Sequence, residues 1–189
     1  MSAQIRMIDV SANNHPTDEP IKWPWVKNAG VGAVMVKCSE GVNYVNPWLG
    51  RDAAGASQAG LLIGYYHFAH PGQQVPAVEA QHALAAIAGL PRELGLALDL
   101  EVTEGRTWQE LADFAAGFHT EACKVVEHSP NYVNDYFAAN LPGFPWAQRQ
   151  WRARTARPRF QVWAWQESTP IAVPGIVGLT DVGYLHPDA

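Results

Sequence analysis

Residues 60–68 read GLLIGYYHF, and the first half of this stretch predicts a β-strand that is buried on both faces. Its apolar run at 61–63 has no alternating polar residue, and the run at 34–36 has the same character. Half-exposed antiparallel strands alternate between apolar and polar residues, whereas strands of a parallel sheet covered on both faces do not. The two runs therefore indicate a parallel sheet.

Helical segments separate the predicted strands along the first two thirds of the chain. Thr107 is the predicted N-cap of the longest helix, because Glu110 three residues later completes a capping box. Repeated β-α units indicate an α/β fold, either a barrel or an open sheet, and the helix-poor second half fits a barrel that lacks some helices. The predicted strands are 5–10, 33–38, 61–67, 96–101, 130–133, 160–165 and 176–182, and the predicted helices are 21–29, 46–59, 76–87 and 107–128.

The bulk composition argues against several classes of partner. The 189 residues are 48% hydrophobic and suit one compact domain, which we expect to span residues 1–189. The net charge is −5 and no cationic run is concentrated, which argues against nucleic acid. No stretch approaches the ~20 apolar residues of a membrane-spanning helix, so we expect no membrane insertion. Residues 1–4 lack the pattern of a signal peptide, so we expect synthesis in the cytoplasm.

The cysteines and tryptophans carry weaker expectations. Cys38 and Cys123 lie far apart in the sequence without metal-ligand spacing, and we expect two buried thiols rather than a disulfide. The eight tryptophans are equally compatible with packing and with stacking on sugar rings.

The residues at the predicted strand ends form one chemically coherent set. In β/α barrels the active site lies at the carboxyl ends of the strands. The residues there are acidic and aromatic, and His67 and His70 lack the spacing of a helical zinc motif, so we expect neither a metal nor a cofactor. Such a set suits glycoside hydrolysis, in which one acid protonates the leaving oxygen and others stabilise the developing positive charge. The candidates are Asp9, Glu40, Tyr66, Asp99, Glu101, Tyr132, Trp165, Gln166 and Asp181.

Asp99 and Glu101 are the most informative pair of this set. On a strand, residues two apart face the same side, with Cα atoms roughly 6–7 Å apart. Two carboxylates this close cannot both ionise easily, so the pKa of one rises and that group can act as an acid. The alternative is an exposed strand end with two solvated acids. Nearby, Glu40 either joins the acidic cluster or is a solvated loop acid, and His67 either contacts substrate or, as we favour, packs against a neighbouring strand.

Six short motifs occur in an order that resembles the family 25 glycoside hydrolases. They extend from residue 8 to about residue 183, and the motif at 60–68 is the most specific. Glu167 departs from the family pattern, which often has a tyrosine there, and an arginine-rich run at 150–159 replaces a usually more apolar strand. The motifs are IDVS (8–11), VKCSEG (36–41), GLLIGYYHF (60–68), LDLE (98–101), WAWQ (163–166) and TDV (180–182).

This resemblance implies a modified TIM-like β/α barrel with incomplete helices in its second half. It also implies hydrolysis of the β-1,4 bond between N-acetylmuramic acid and N-acetylglucosamine. Glu101 would be the general acid, and Asp99 would position the N-acetyl group of the substrate or stabilise the oxocarbenium ion. Asp9 and Asp181 would complete the acidic floor. The substrate-binding residues would be Tyr66, Tyr132, Trp165, Gln166 and Glu40.

The biological setting follows from the same resemblance as an expectation. The partners would be bacterial peptidoglycan glycan strands, and the protein would act on the cell wall in phage lysis or virion entry. The alternative is a catalytically silent glycan-binding or structural virion component on the same fold. A hydrolase for chitin-like polymers is a third interpretation.

Overall fold

The computed structural model describes residues 4–142, 150–154, 163–167 and 169–186. Strands and helices alternate through these ranges. The helices are α1 (Trp23–Asn28), α2 (Leu49–Gln58), α3 (Pro76–Ala86), α4 (Trp108–Ala122) and α5 (Asp135–Asn140). The strands are β1 (Ile5–Val10), β2 (Ala33–Glu40), β3 (Tyr44–Val45), β4 (Leu62–Phe68), β5 (Gly95–Asp99), β6 (Asn131–Asn134), β7 (Gln150–Arg154), β8 (Ala164–Glu167), β9 (Ile171–Ala172) and β10 (Leu179–Leu185).

Eight of these strands pair into a closed ring. The order is β1, β2, β4, β5, β6, β7, β8 and β10, and β10 returns to pair with β1. Each neighbouring pair from β1 to β8 is parallel, whereas β10 is antiparallel to both of its neighbours. The short strands β3 and β9 add to β2 and β10. The predicted modified β/α barrel is therefore confirmed, with its last strand reversed.

Apolar side chains divide between the two faces of the ring. Because neighbouring residues of a strand point to opposite faces, Ile8 and Val10 of β1 pack outward with the helices, and Met7 packs inward. This two-sided burial explains why the strand sequences are apolar without alternation. The interior cluster consists of Met7, Ala33, Met35, Leu94, Ala97, Trp163, Ala164 and Leu185.

The helix α4 begins as predicted and ends earlier. Thr107 is its N-cap, and the predicted capping box with Glu110 is present. The helix ends at Ala122, six residues before the predicted end at His128, and Val125 is exposed rather than part of the buried face. The reason is that Leu96 donates a hydrogen bond to the His128 carbonyl at 3.0 Å, so by His128 the chain has already returned to the sheet.

The second half contains elements that the sequence did not predict. The helix α5 follows β6 directly, and β7 is a strand although its composition is rich in arginine. The predicted strand at 160–165 is shifted to β8, and its residues 160–162 lie outside the described ranges. No helix within those ranges is both long and apolar enough to cross a membrane.

The two cysteines differ in environment. Both are free thiols, as predicted, and Cys38 is buried in the outer core. The prediction that Cys123 is buried is wrong, because Cys123 directly follows the last residue of α4 and is exposed there.

Candidate active site

Acidic and aromatic side chains line a pocket at one mouth of the barrel. The cavity measures about 150 Å³, and seven of the nine candidates from the strand ends surround it. They come from six different strands or strand ends, so the barrel is what brings them together. The lining residues are Asp9, Tyr66, Asp99, Glu101, Tyr132, Gln166 and Asp181.

The strand register sets the floor of the pocket. Asp9 on β1 lies opposite Asp181 on β10, and Asp99 on β5 lies opposite Tyr132 on β6. Asp181 was expected near the carboxyl end of a strand, but it is the third residue of β10. Because β10 is antiparallel to β1, its amino end reaches the same mouth as the carboxyl ends of the parallel strands. The reversal of β10 therefore brings Asp181 next to Asp9.

Asp99 and Glu101 both face the pocket, although β5 ends at Asp99. Leu100 between them is fully buried on the opposite side, and its N–H donates to the Tyr132 carbonyl at 3.3 Å. The alternation of a strand thus continues for two residues beyond its assigned end. Asp99 is only 6% exposed, which contradicts the alternative of two solvated acids.

The electrostatics of the pocket favour bound protons. Burial raises the pKa of Asp99 well above its usual range, and the negative charges of Glu101 and Asp9 raise it further. Burial likewise raises the pKa values of Asp9 and Asp181. The negative charge of Asp181 raises the pKa of Asp9 further. Burial raises the pKa of Glu101 too, against a hydrogen bond from Asn134 that lowers it. A carboxyl group that stays protonated near neutral pH is what general acid catalysis requires.

One carboxylate oxygen in the pocket has no protein partner. Asp99 Oδ1 is buried and accepts no hydrogen bond from any residue that the structure describes. An unpaired buried oxygen is costly, so it is a natural acceptor for a polar group of a bound substrate.

The aromatic residues of the pocket are hydrogen-bonded. Gln166 Nε2 donates to the Tyr132 hydroxyl at 3.2 Å. Burial raises the pKa values of Tyr66 and Tyr132, so both hydroxyls keep their protons, and Tyr66 shares a hydrogen bond with Ser11. Ser11 was not predicted as a site residue, although it belongs to the quoted motif IDVS.

Two of the nine candidates lie outside the pocket. Trp165 stacks on Tyr184 with 5.0 Å between ring centroids, on the outer face of the barrel, because its neighbour Gln166 faces inward. Glu40 forms ion pairs with Lys37 and His70. Partial burial alone would raise the pKa of Glu40, but hydrogen bonds from these two cations lower it overall. Glu40 is therefore a paired acid at the rim, and neither alternative drawn from the sequence describes it.

A match to a known family accompanies this geometry. The family model described as glycosyl hydrolases family 25 matches residues 8–167, which include all of the pocket residues except Asp181. The chain belongs to glycosyl hydrolases family 25.

Individual relatives of this family 25 chain are lysozymes. The "Autolytic lysozyme" of Clostridium acetobutylicum is 30% identical over 127 residues, covering 64% of this chain and 38% of that protein. "Lysozyme M1" of Streptomyces globisporus is 28% identical over 185 residues, covering 85% of this chain and 62% of that protein. The family 25 chain thus spans less than two thirds of the length of either relative.

A solved structure has the same fold. The bacterial lysozyme from Streptomyces coelicolor superposes with a TM-score of 0.84 at 22% identity, covering 98% of this chain and 94% of that one.

His67 of the family 25 chain packs inside a buried network. Its Nε2 lies 2.9 Å from Glu79 Oε2, and its Nδ1 lies 2.9 Å from Ser39 Oγ. Burial lowers the pKa of His67, so the neutral ring donates from Nε2 to Glu79 and accepts from the Ser39 hydroxyl at Nδ1. All three side chains are inaccessible to solvent, so they cannot reach a substrate. The favoured interpretation of His67 as a packed histidine is confirmed.

His70 links two loops at the rim of the site. Its Nδ1 lies 2.6 Å from Glu104 Oε1 and its Nε2 lies 3.1 Å from Glu40 Oε1. Both ring nitrogens therefore face carboxylates, an arrangement that suits the doubly protonated imidazolium. Partial burial alone would lower the pKa of His70, but the hydrogen bonds that it donates to the two glutamates raise its pKa above 6.5. The loop after β4 is thus tied to the loop that follows Glu101.

We expect His70→Ala to change how stability depends on pH. A raised pKa means that the His70 contribution is complete below pH 6.5 and is lost as pH rises through the folded-state pKa. The pKa values of Glu40 and Glu104 are lowered from 4.5, so their contribution disappears as pH falls below that value. Half-exposed ion pairs contribute less than about 1 kcal/mol, so wild type should melt roughly 2 °C above H70A near pH 5.5.

Thermal melts of both proteins from pH 5 to pH 8.5 measure this difference. The difference in melting temperature between wild type and H70A should narrow toward pH 8.5, where His70 is neutral in both the folded and the unfolded chain. A gap that stays constant across the range would show that His70 acts through packing alone.

Proposed function

We propose that this chain is a peptidoglycan-degrading lysozyme that hydrolyses the β-1,4 bond between N-acetylmuramic acid and N-acetylglucosamine. The observation that carries the proposal is the pocket in which four acids with raised pKa values surround one cavity. Membership of family 25 and the two lysozyme relatives support the substrate class.

In this proposal Glu101 is the general acid. Its proton passes to the glycosidic oxygen as the bond to the anomeric carbon breaks, and Glu101 is left as a carboxylate. The sugar ring gains positive charge in the transition state, and the carboxyl oxygens of the acidic floor stabilise that charge. Water later adds hydroxide to the anomeric carbon and returns a proton to Glu101. Half-burial suits this role, because Glu101 must keep its proton and also reach the substrate.

Asp99 takes the second role in the proposed reaction. Its buried Oδ1, which has no hydrogen-bond partner among the described residues, can accept a hydrogen bond from the N-acetyl group of the substrate or lie against the oxocarbenium ion. Tyr66, Tyr132 and Gln166 bind the sugar from the surrounding strands. Asp9 and Asp181 face the same cavity and add carboxyl oxygens to its floor.

Product analysis tests the proposed bond specificity. Purified peptidoglycan is digested, reduced with borohydride and analysed by mass spectrometry. We expect reduced muramic acid at the new ends of the fragments. Reduced glucosamine ends would instead indicate a glucosaminidase. Cleavage of chitin oligosaccharides without cleavage of peptidoglycan would favour a chitin-like substrate, and no new ends on any wall type would contradict the enzymatic proposal.

The alternative is a catalytically silent glycan-binding or structural virion component. A binding site gains nothing from a cluster of mutually repelling buried acids, whereas an acid catalyst needs one. Peptidoglycan sedimentation without release of reducing ends would favour the alternative.

We also propose that the protein acts in phage lysis or virion entry, after synthesis in the host cytoplasm. Another protein would then open the membrane to give access to the wall. Expression in bacterial cytoplasm with and without a co-expressed pore-forming protein tests this setting. Lysis only with the pore supports it, and lysis without the pore contradicts it.

A further inference from the structure

The ends of β5 and β6 bring a residue outside the predicted set next to Glu101. The two strands are parallel, with Asp99 opposite Tyr132. The hydrogen bond from Leu100 N–H to the Tyr132 carbonyl extends the ladder beyond Asp99. Glu101 lies two residues beyond Asp99 and Asn134 lies two residues beyond Tyr132. The two residues are therefore neighbours on the side of the pocket. The Asn134 side chain acts on the Glu101 carboxyl group as a hydrogen-bond donor and lowers its pKa.

The orientation of the Asn134 amide is set by a helix. Asn134 is the N-cap of α5, and its Oδ1 accepts a hydrogen bond from the Phe137 N–H at 3.0 Å. Because the amide oxygen is used by the cap, the NH2 group is the part that remains for Glu101. Flipping the amide would place its NH2 group against the Phe137 N–H and lose the cap. It would also place its oxygen against an oxygen of Glu101, so that two acceptors would face each other. One helix cap thus determines which group faces the candidate general acid.

We propose that Asn134 is a positioning residue for Glu101, whose amide holds one carboxyl oxygen so that the other, protonated oxygen faces the glycosidic bond. This inference rests on the proposed function, and the residue itself touches neither the scissile bond nor the water. A general acid loses much of its rate when its carboxyl group is misoriented, since a misplacement of about 1 Å can cost a factor of 100.

Several titratable groups surround Glu101. The strands contribute Asp9 on β1, Asp99 on β5, the Tyr132 hydroxyl on β6 and Asp181 on β10. Asp135, the first residue of α5, follows Asn134 in the chain. Asp181 and burial raise the pKa of Glu101, whereas Asn134 lowers it. Asn134 is thus the neutral donor that opposes an otherwise acidic set.

The substitution Asn134→Asp separates the two hydrogen bonds. Asp is as good an N-cap as Asn, so the bond to the Phe137 N–H and the stability should be kept. The donor to Glu101 is replaced by an oxygen that repels it. We expect kcat to fall by about tenfold or more with little change in KM. The alkaline limb of the kcat–pH profile should move to higher pH, because Glu101 loses a bond that favours its ionised form.

Two further variants guard against a purely structural explanation. Asn134→Ser keeps a capping oxygen but cannot donate to Glu101 in the same geometry, so it should also shift the profile. Thr107→Ala removes the N-cap of α4 without touching the pocket. It should lower the melting temperature by about 2–4 °C and leave the pH profile unchanged.

A carboxyl 13C NMR titration gives a readout that does not need activity. Glutamate-labelled wild type and N134D are compared, with the Glu101 signal assigned by its absence in Glu101→Gln. We expect Glu101 to titrate at higher pH in N134D. An unchanged Glu101 titration together with wild-type kcat would overturn the role of Asn134. Wild-type protein without hydrolytic activity, but with the expected NMR shift, would instead count against the proposed function.

Discussion

Replacing Glu101 by glutamine should reduce the rate of peptidoglycan hydrolysis by a factor of about 10²–10⁴, the range that a general acid contributes. Glutamine has nearly the same shape, and its amide oxygen can still accept the hydrogen bond from Asn134. It has no acidic proton to give to the leaving oxygen. The release of reducing ends from purified peptidoglycan measures the loss.

The same substitution should leave the protein folded, and even slightly more stable. Wherever Glu101 is ionised, its charge raises the pKa of Asp99, so replacing it by a neutral amide relieves a repulsion inside a buried pocket. Loss of activity without loss of stability separates a catalytic role from a structural one.

Glu127→Gln is a matched control for the chemical change. The Glu127 side chain is 88% exposed and does not line the pocket, so its substitution should leave the rate unchanged. An E101Q protein that retained more than about a tenth of the wild-type rate would contradict the assignment of Glu101 as the general acid.

The largest expected effect on stability comes from Glu79→Ala. Glu79 lies on α3 and is fully buried. One of its oxygens accepts from His67 Nε2 at 2.9 Å, and both accept from the His70 backbone N–H at 3.1 and 3.2 Å. Alanine would leave both donors unsatisfied behind β4 and create a void. Each buried donor left unsatisfied costs about 1–3 kcal/mol, so with the void the total loss should be about 3–5 kcal/mol.

Urea unfolding of wild type and E79A measures this difference. Gln81→Ala on the exposed side of α3 is the matched control, and its cost should stay within about 0.5 kcal/mol. The loss of stability in Glu79→Gln should lie between those of the other two variants. The glutamine oxygen can accept from one of the two donors, while its NH2 group faces the other. A loss of less than about 1 kcal/mol in E79A would mean that water enters and satisfies the network.

Much of the site was predictable because its signals are local. The unalternated apolar runs at 34–36 and 61–63 predicted a sheet buried on both faces, and the barrel buries them between its interior and its helices. The capping box of Thr107 and Glu110 predicted the start of α4, since all of its atoms lie within one helical turn. The strand-end residues converged on one pocket because parallel strands bring their carboxyl ends to the same mouth.

Other features depend on partners that are distant in sequence. Trp165 faces outward because of the register between β8 and β10. Glu40 is paired at the rim by Lys37, three residues away, and by His70, thirty residues away. Asn134 belongs to no motif that we identified. Its importance arises from lying beside Glu101 across the β5–β6 ladder while it caps α5.

The sequence by itself determined the α/β class and the acidic chemistry, because periodicity and residue type are properties of short segments. The ordered motifs added the family, and the barrel was what that resemblance implied. Only the tertiary structure decided the direction of β10, which closes the ring through pairs such as Asp9 with Asp181. Nothing local in a strand specifies whether its distant neighbour runs parallel or antiparallel to it. The antiparallel direction of β10 is set when the ring closes, and it brings Asp181 to the mouth of the barrel.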